Sequence, residues 1–211
     1  MSQHESINDP DSPNGIAART IRRFTRGIAR ADDSPLDCRF IIDGDSGELI
    51  LGIDRVALDA DELTLCLPND TFDAEATLLV HTRDASEDRW TDRHLAYHPD
   101  ARPPVFARAT VDSAKLRDGN VVEGEHLALV NPLLASEPSL CKSLNADRDA
   151  LRRLCGLMTG TEPEQPIAVG VDRLGIDVRV RFGIIRLELP APCNDPDEAS
   201  RVIAALIGGT A

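Results

Sequence analysis

The last third of the chain, residues 143–211, carries the clearest pattern of secondary structure. Within residues 167–189, three short segments alternate apolar and polar residues with a period of two, which is typical of strands that are buried on one face. Apolar residues at helical spacing precede and follow them. We expect the first helix to begin at Asn145 as its N-cap and the last to begin at Asp195. The segment therefore predicts a compact α-β-β-β-α unit, because both helices must bury their apolar stripes on the sheet.

The middle of the chain has the pattern of short strands separated by turns. Clusters of Asp, Asn, Gly and Pro interrupt β-type segments at intervals of roughly ten residues. This spacing favours a small antiparallel barrel. The expected strands are residues 39–43, 48–53, 63–67, 76–81 and 105–111.

An amphipathic helix is expected ahead of these strands, at residues 14–30. One interpretation of its polar face is a solvated surface, or a surface that pairs with the protein's own carboxylates. The other is a contact with an anion or a protein partner, because guanidinium groups bind phosphate and carboxylate through two parallel hydrogen bonds. That face carries five arginines and no acid: Arg19, Arg22, Arg23, Arg26 and Arg30.

The composition is strongly acidic, with a net charge of -13, which argues against nucleic-acid binding because that binding depends on neutralising phosphates. No apolar run approaches the length that spans a bilayer, and the first residues lack the pattern of a signal peptide. We therefore expect a cytoplasmic protein with no membrane segment. The five cysteines are scattered without a Cys-x-x-Cys pair, so the sequence indicates neither a disulfide framework nor a zinc site.

The closing segment resembles the C-terminal domain of the haem-iron utilisation family. In that family the domain follows a flavin-type split β-barrel, and its first helix carries two histidines. Those two positions hold Ser143 and Arg148 here. The matching stretches are residues 144–147, residues 171–179, residues 185–187, Pro190 and Pro192.

The resemblance implies an α+β chain, with an antiparallel split β-barrel of the FMN-binding type followed by the α-β-β-β-α domain. The expected organisation is a disordered tail at residues 1–13, a split-barrel-like domain with the amphipathic helix at residues 14–135, and the closing domain at residues 136–211. The resemblance also implies a homodimer, and either haem or FMN as cofactor.

An FMN site in such a barrel needs cations and hydroxyls for the phosphate. Residues 68–75 instead contain three acids and no base, and carboxylates repel a phosphate. Thr82 and Arg83 remain as candidate donors. We therefore expect weak or absent FMN binding.

A haem site needs an axial ligand and cationic groups for the propionates. The candidate ligands are His81, His94 and His98. His94 and His98 would lie one helical turn apart if their segment is a helix, and the alternative is that all three are ordinary surface histidines in strands or loops.

These observations favour a non-catalytic or weakly catalytic protein that binds haem or another tetrapyrrole, or regulates its handling. One alternative is an FMN-dependent oxidoreductase or haem oxygenase-like enzyme. A second alternative is a protein-interaction module without a small ligand, which would use the arginines of the first helix to contact its partner.

Overall fold

The structure, a computed structural model, describes residues 12–32, 34–60, 62–85 and 87–209. Most of the expected disordered tail, residues 1–11, lies outside the described residues. The chain forms two compact units, Met1–Val130 and Asn131–Ala211. This division comes shortly before the expected domain boundary at residue 135.

The first unit is a closed, six-stranded antiparallel barrel to which one further strand is added. Its strands are β1 (Arg26–Ala31), β2 (Ser34–Ile42), β3 (Leu49–Ile53), β4 (Leu63–Leu67), β5 (Ala76–Asp84), β6 (Val105–Leu116) and β7 (Val121–Glu123). The sheet order is β3-β2-β1-β4-β5-β6-β7, and the pairing of β3 with β6 closes the barrel. The five strands expected from the sequence are confirmed, together with the α+β class. Inward-facing aliphatic side chains fill the barrel, as in other barrels of few strands.

Helix α1 (Pro13–Arg23) is shorter than the sequence predicts. Ser12 caps it by accepting a hydrogen bond from the backbone N–H of Gly15 at 3.1 Å. The helix ends at Arg23, and Phe24 after it is extended. The expected continuation of the helix to residue 30 is therefore wrong.

The segment predicted as the second half of that helix forms β1, which pairs with β2 on one side and β4 on the other. Its buried residues alternate along the strand as Gly27, Ala29 and Ala31. Gly27 lies so close to β4 that a Cβ atom there would come within 2.4 Å of the Cys66 carbonyl oxygen. Tertiary pairing that only glycine permits therefore overrides the helical spacing of the sequence.

Two further helices belong to the first unit, α2 (Arg55–Leu58) and α3 (Arg89–Tyr97), with a 3-10 turn at Gly124–His126. Helix α3 packs on the outside of β2 and β3, whose outward-facing residues Ile41 and Ile50 are buried. Within the described residues, no helix is long and apolar enough to cross a membrane.

The second unit has the expected three-stranded sheet and two of its helices in the expected places. Its elements are α4 (Glu137–Ala146), α5 (Arg148–Thr159), β8 (Ile167–Asp172), β9 (Gly175–Val180), β10 (Gly183–Glu188) and α6 (Pro196–Gly208). The sheet order is β10-β9-β8. Asp195 caps α6 through hydrogen bonds from the N–H groups of Asp197 and Glu198, as predicted.

The predicted N-cap of the first helix is wrong, because Asn145 lies in the last turn of an additional helix, α4. The Asn145 side chain donates to the Ala168 carbonyl at 2.9 Å and accepts from the Ala168 N–H at 2.8 Å, which satisfies the outer edge of β8. Asp147 caps α5 instead, accepting from Ala150 N at 2.9 Å. The side chain that the pattern assigned to capping therefore closes a sheet edge.

A buried ionic cluster crosses the sheet of the second unit. The Arg186 guanidinium bonds Asp172 at 2.7 Å and Asp177 at 3.0 Å, and the Arg186 side chain is 5% exposed. Asp172 also accepts the N–H of Leu174 at 2.7 Å, a local bond that Asp side chains commonly form at turns. A Cβ at Gly175 would approach Arg186 Nε to 2.7 Å, so glycine makes room for the guanidinium. All four residues of this cluster lie in the stretches that carry the family resemblance.

We predict that Arg186→Ala destabilises the protein by about 3–5 kcal/mol, because it removes a buried cation that bonds two largely buried carboxylates. Urea unfolding at pH 7 measures the change in the free energy of unfolding. The control is Arg201→Ala, at an exposed position on α6, which should stay within about 0.5 kcal/mol of the parent. A loss below about 1 kcal/mol for Arg186→Ala would contradict the role given to the cluster.

Candidate functional site

Polar contacts fix the start of helix α3 on the outside of the barrel. Asp88 caps the helix through hydrogen bonds from the N–H groups of Trp90 at 2.8 Å and Thr91 at 3.2 Å, and the Thr91 hydroxyl completes a capping box. The Asp88 carboxylate also bonds the Arg108 guanidinium of β6 at 2.7 Å. The start of α3 is thus fixed to the barrel wall, which sets the direction of the side chains that follow.

His94 lies in the last turn of α3 and His98 follows one turn later as the C-cap of the helix. Both are buried, so their interpretation as surface histidines is wrong. His94 Nε2 lies 2.9 Å from the Arg39 carbonyl oxygen, and His98 Nε2 lies 3.2 Å from the Phe40 carbonyl oxygen. The two ring centroids are 4.9 Å apart. Their burial follows from the docking of α3 on β2, which brings both rings against strand backbone.

The protonation state of these rings follows from their partners. A carbonyl oxygen only accepts, so each Nε2 carries the proton, and in a neutral ring each Nδ1 then carries a lone pair. Burial lowers the pKa of His94, and burial lowers the pKa of His98 to about 4. Both imidazoles are therefore neutral at pH 7. His94 Nδ1 is buried and has no hydrogen-bond partner among the described residues.

An open cleft of about 220 Å³ lies beside His94, where α3 and the loop after it meet β2 and β3. We call it the His94 cleft. Arg102 Nη1 holds the loop in shape by donating to the carbonyls of Pro99 and Ala101, each at 2.6 Å. The side chains and backbone that line the cleft include Asp37, Arg39, Gly52, His94, Arg102 and Pro103.

At Gly52 the backbone of β3 comes close to His94 and Pro103 in the His94 cleft. A Cβ atom there would lie 3.0 Å from His94 Cε1 and 3.0 Å from two carbons of Pro103. A side chain at this position would therefore press on the imidazole and fill the cleft. The sequence carried one signal of this, because an isolated glycine inside a strand pattern marks close approach of another group.

Other candidate residues lie elsewhere. His81 is exposed on β5, opposite Thr110 of β6, and does not line the cleft. Thr82 follows it on the same strand, half-buried. Arg83 donates two hydrogen bonds to the Glu48 carboxylate, at 2.5 and 2.8 Å, which occupies the guanidinium that the sequence offered to a phosphate.

The arginines predicted as one stripe have separate surroundings. Arg22 is buried and donates to the Leu129 carbonyl at 2.5 Å. Arg23 pairs with Glu75 at 2.6 Å, and Arg30 pairs with Asp70 at 2.5 Å. Arg19 is half-buried on α1, whereas Arg26 is exposed on β1. Two of these arginines, Arg23 and Arg30, therefore pair with acids of the segment at residues 68–75.

Comparison with known proteins supports the fold and does not identify a family. No protein-family model matches the sequence, and no curated protein matches it either. A protein of unknown function from Agrobacterium tumefaciens is similar in structure over 98% of this chain and 97% of its own, with a TM-score of 0.69 and 16% sequence identity. At that identity the similarity shows the fold alone. A heme-binding protein from Mycobacterium smegmatis matches 92% of this chain and 96% of its own at 18% identity, but its TM-score of 0.41 is too low for an argument.

The buried histidines predict a dependence of stability on pH. The pKa of His98 falls from 6.5 to about 4 on folding, so the unfolded chain binds more protons between these values. The stabilisation is complete above pH 6.5 and is lost as the pH falls towards 4, by up to about 3 kcal/mol. Urea unfolding from pH 4.5 to 7.5 measures the free energy of unfolding at each pH. Its slope against pH should be shallower for His98→Gln than for the parent. The control His81→Gln, at an exposed histidine on β5, should keep the parent slope. Equal slopes for His98→Gln and the parent would contradict the assignment.

Proposed function

We propose that this protein is a non-catalytic binding protein for haem or a related tetrapyrrole, and that it takes its ligand at the His94 cleft. The observation that carries the proposal is the buried Nδ1 of His94, which has no partner among the described residues while Nε2 is held by the Arg39 carbonyl. Leaving such a nitrogen unpaired costs roughly 1–3 kcal/mol, a cost that a ligand at this position would remove.

The tautomer of His94 suits an axial ligand. Histidines that bind a metal ordinarily donate their other ring N–H to a backbone carbonyl or a carboxylate, which orients the ring and raises its basicity. His94 already has this arrangement, with the Arg39 carbonyl as the outer partner. Its low pKa, caused by burial, keeps the lone pair available at pH 7. Haem would supply the iron to which this lone pair binds.

The shape of the cleft suits a flat ligand that is only partly covered. Gly52 leaves an opening beside the imidazole that a Cβ atom would fill. The volume of about 220 Å³ is smaller than the roughly 300–1,000 Å³ of pockets that enclose a drug-sized molecule. A tetrapyrrole would therefore extend out of the cleft into solvent. Because Nδ1 is shielded, its ligation requires a local shift of the ring or of the loop at residues 99–104.

The alternative functions receive less support. FMN would need cations near residues 68–85, where the Arg83 guanidinium is bonded to Glu48, and where Asp70 and Glu75 are bonded to arginines. An interaction module built on the arginines of the first helix would have to break the Arg23–Glu75 ion pair and the bond from buried Arg22 to the Leu129 carbonyl. We therefore rank haem first. We extend the proposal to a homodimer, as the family resemblance implies, and to the cytoplasm, as expected from the sequence pattern.

Titration of the purified protein with haem, followed by absorbance in the Soret region, tests the proposal. We expect saturable binding by the parent and its loss in His94→Gln. Glutamine keeps an N–H for the Arg39 carbonyl and removes the ligating nitrogen, so the docking of α3 should survive the change. Far-ultraviolet circular dichroism and urea unfolding verify that the variant is folded.

Two matched variants make the result specific. His81→Gln and His126→Gln alter an exposed and a partly exposed histidine outside the cleft and should bind haem as the parent does. FMN, titrated in parallel as a second flat cofactor, should bind much more weakly than haem. A folded His94→Gln variant with an unchanged haem spectrum would show that the assignment to His94 is wrong.

A further inference from the structure

We propose an oxyanion-binding site at the mouth of the His94 cleft, formed by the cross-strand pair Arg26 and Arg39 and completed by Arg102. The site takes a carboxylate or a phosphate group of the ligand. This site deepens the proposed function by assigning the groups that would hold a ligand's acidic side arm. Only the haem-specific part of this proposal rests on the proposed function.

The register of the barrel places the first two arginines together. Arg26 of β1 lies directly opposite Arg39 of β2 at the end of their antiparallel pairing. Residues paired in this way point to the same face, with Cβ atoms about 4.5–5.5 Å apart. Both point outward, because Gly27 and Cys38, which flank them, are buried in the barrel wall. Arg39 lines the His94 cleft, so Arg26 lies beside its mouth.

Neither arginine of this pair has a carboxylate within ion-pair distance in the described ranges of the chain, whereas arginines elsewhere on the barrel do. Arg23 and Arg30 bond Glu75 and Asp70, and Arg108 bonds Asp43 and Asp88. A like-charge pair directly opposite across two strands destabilises a sheet. The repulsion between the two arginines thus destabilises the sheet. The chain has a net charge of -13, so it has acids in excess that could have neutralised the pair.

An oxyanion between the two guanidinium groups would turn that cost into binding. The N–H groups of arginine match the oxygens of carboxylate and phosphate and form short, charge-assisted hydrogen bonds with them. Arg102 adds a third cation at the cleft, since its bonds to Pro99 and Ala101 engage Nη1 alone among its N–H donors. Asp37 and Asp54 also line the cleft and oppose an anion, so their removal should strengthen binding.

Thermal unfolding in inorganic phosphate or in succinate, compared with chloride at equal ionic strength, tests the site without haem. We expect one or both anions to raise the Tm by roughly 3–6 °C at ten times the dissociation constant, and chloride to raise it less. Phosphate and succinate distinguish the two classes of oxyanion. A Tm that responds to both anions only as it does to chloride would overturn the proposal.

Charge variants separate a binding role from a structural one. Arg26→Gln and Arg39→Gln should lose the phosphate or succinate shift, and in chloride their Tm should stay level or rise, because the repulsion is removed. Asp37→Asn should bind the anion more tightly than the parent. Arg201→Gln, at an exposed arginine on α6, should behave as the parent does. Full anion shifts in both Arg26→Gln and Arg39→Gln would also overturn the proposal.

The haem experiment keeps the two proposals distinguishable. Esterified haem, which lacks the propionate charges, should bind the parent roughly tenfold more weakly than haem, whereas Arg39→Gln should bind both equally. If haem does not bind but the anion shifts appear, the proposed function fails and the oxyanion site stands. If haem binds through His94 and neither Arg26→Gln nor Arg39→Gln affects haem or anions, the oxyanion site fails and the function stands.

Discussion

The pairing of β3 with both β2 and β6 closes the barrel, and the rest of the first unit depends on it. Because the backbone groups on both edges of β3 are hydrogen-bonded to neighbouring strands, β3 contacts the rest of the protein through its side chains. All five residues of β3 are buried, on the inner and the outer face alike. A barrel strand buried on its outer face needs a second layer of structure. Helix α3 and the loop after it supply that layer, and the position of the candidate site follows from this need.

The second layer is joined to the barrel by polar contacts as well as by packing. The carbonyl groups of Arg39 and Phe40 lie where the pairing of β1 with β2 ends. The imidazoles of His94 on α3 and of His98, which caps its C-terminus, satisfy them. Buried backbone carbonyls require such partners. A histidine used in this way has one nitrogen committed to the scaffold and one left over. In His98 and His94 the scaffold therefore fixes the tautomer before any ligand arrives, which is a form of preorganisation.

Period-two alternation and turn residues were enough to predict five barrel strands and the sheet of the second unit. Strand β1 was not predicted, because its arginines, alanines and isoleucine also fit a helix. The contact of Gly27 with β4 that favours the strand is non-local and cannot be read from the local pattern. Asn145 suits a helix cap as well as the sheet edge that it closes. Of the site, the histidine pair was visible in the sequence, but its burial and the role of Gly52 depend on how α3 docks.

The error over β1 also changed the meaning of the charges. With a helix to residue 30, five arginines form one surface, and the acids at residues 68–75 argue against an FMN phosphate in the barrel. In the folded barrel, Arg23, Arg30 and Arg117 pair with Glu75, Asp70 and Asp73, so that segment is largely neutralised. The repulsion expected from it is therefore weak and short-ranged, since salt largely screens interactions between exposed charges more than about 10 Å apart. The strand register instead draws attention to Arg26. It lies directly opposite Arg39, a second arginine, which lines the cleft.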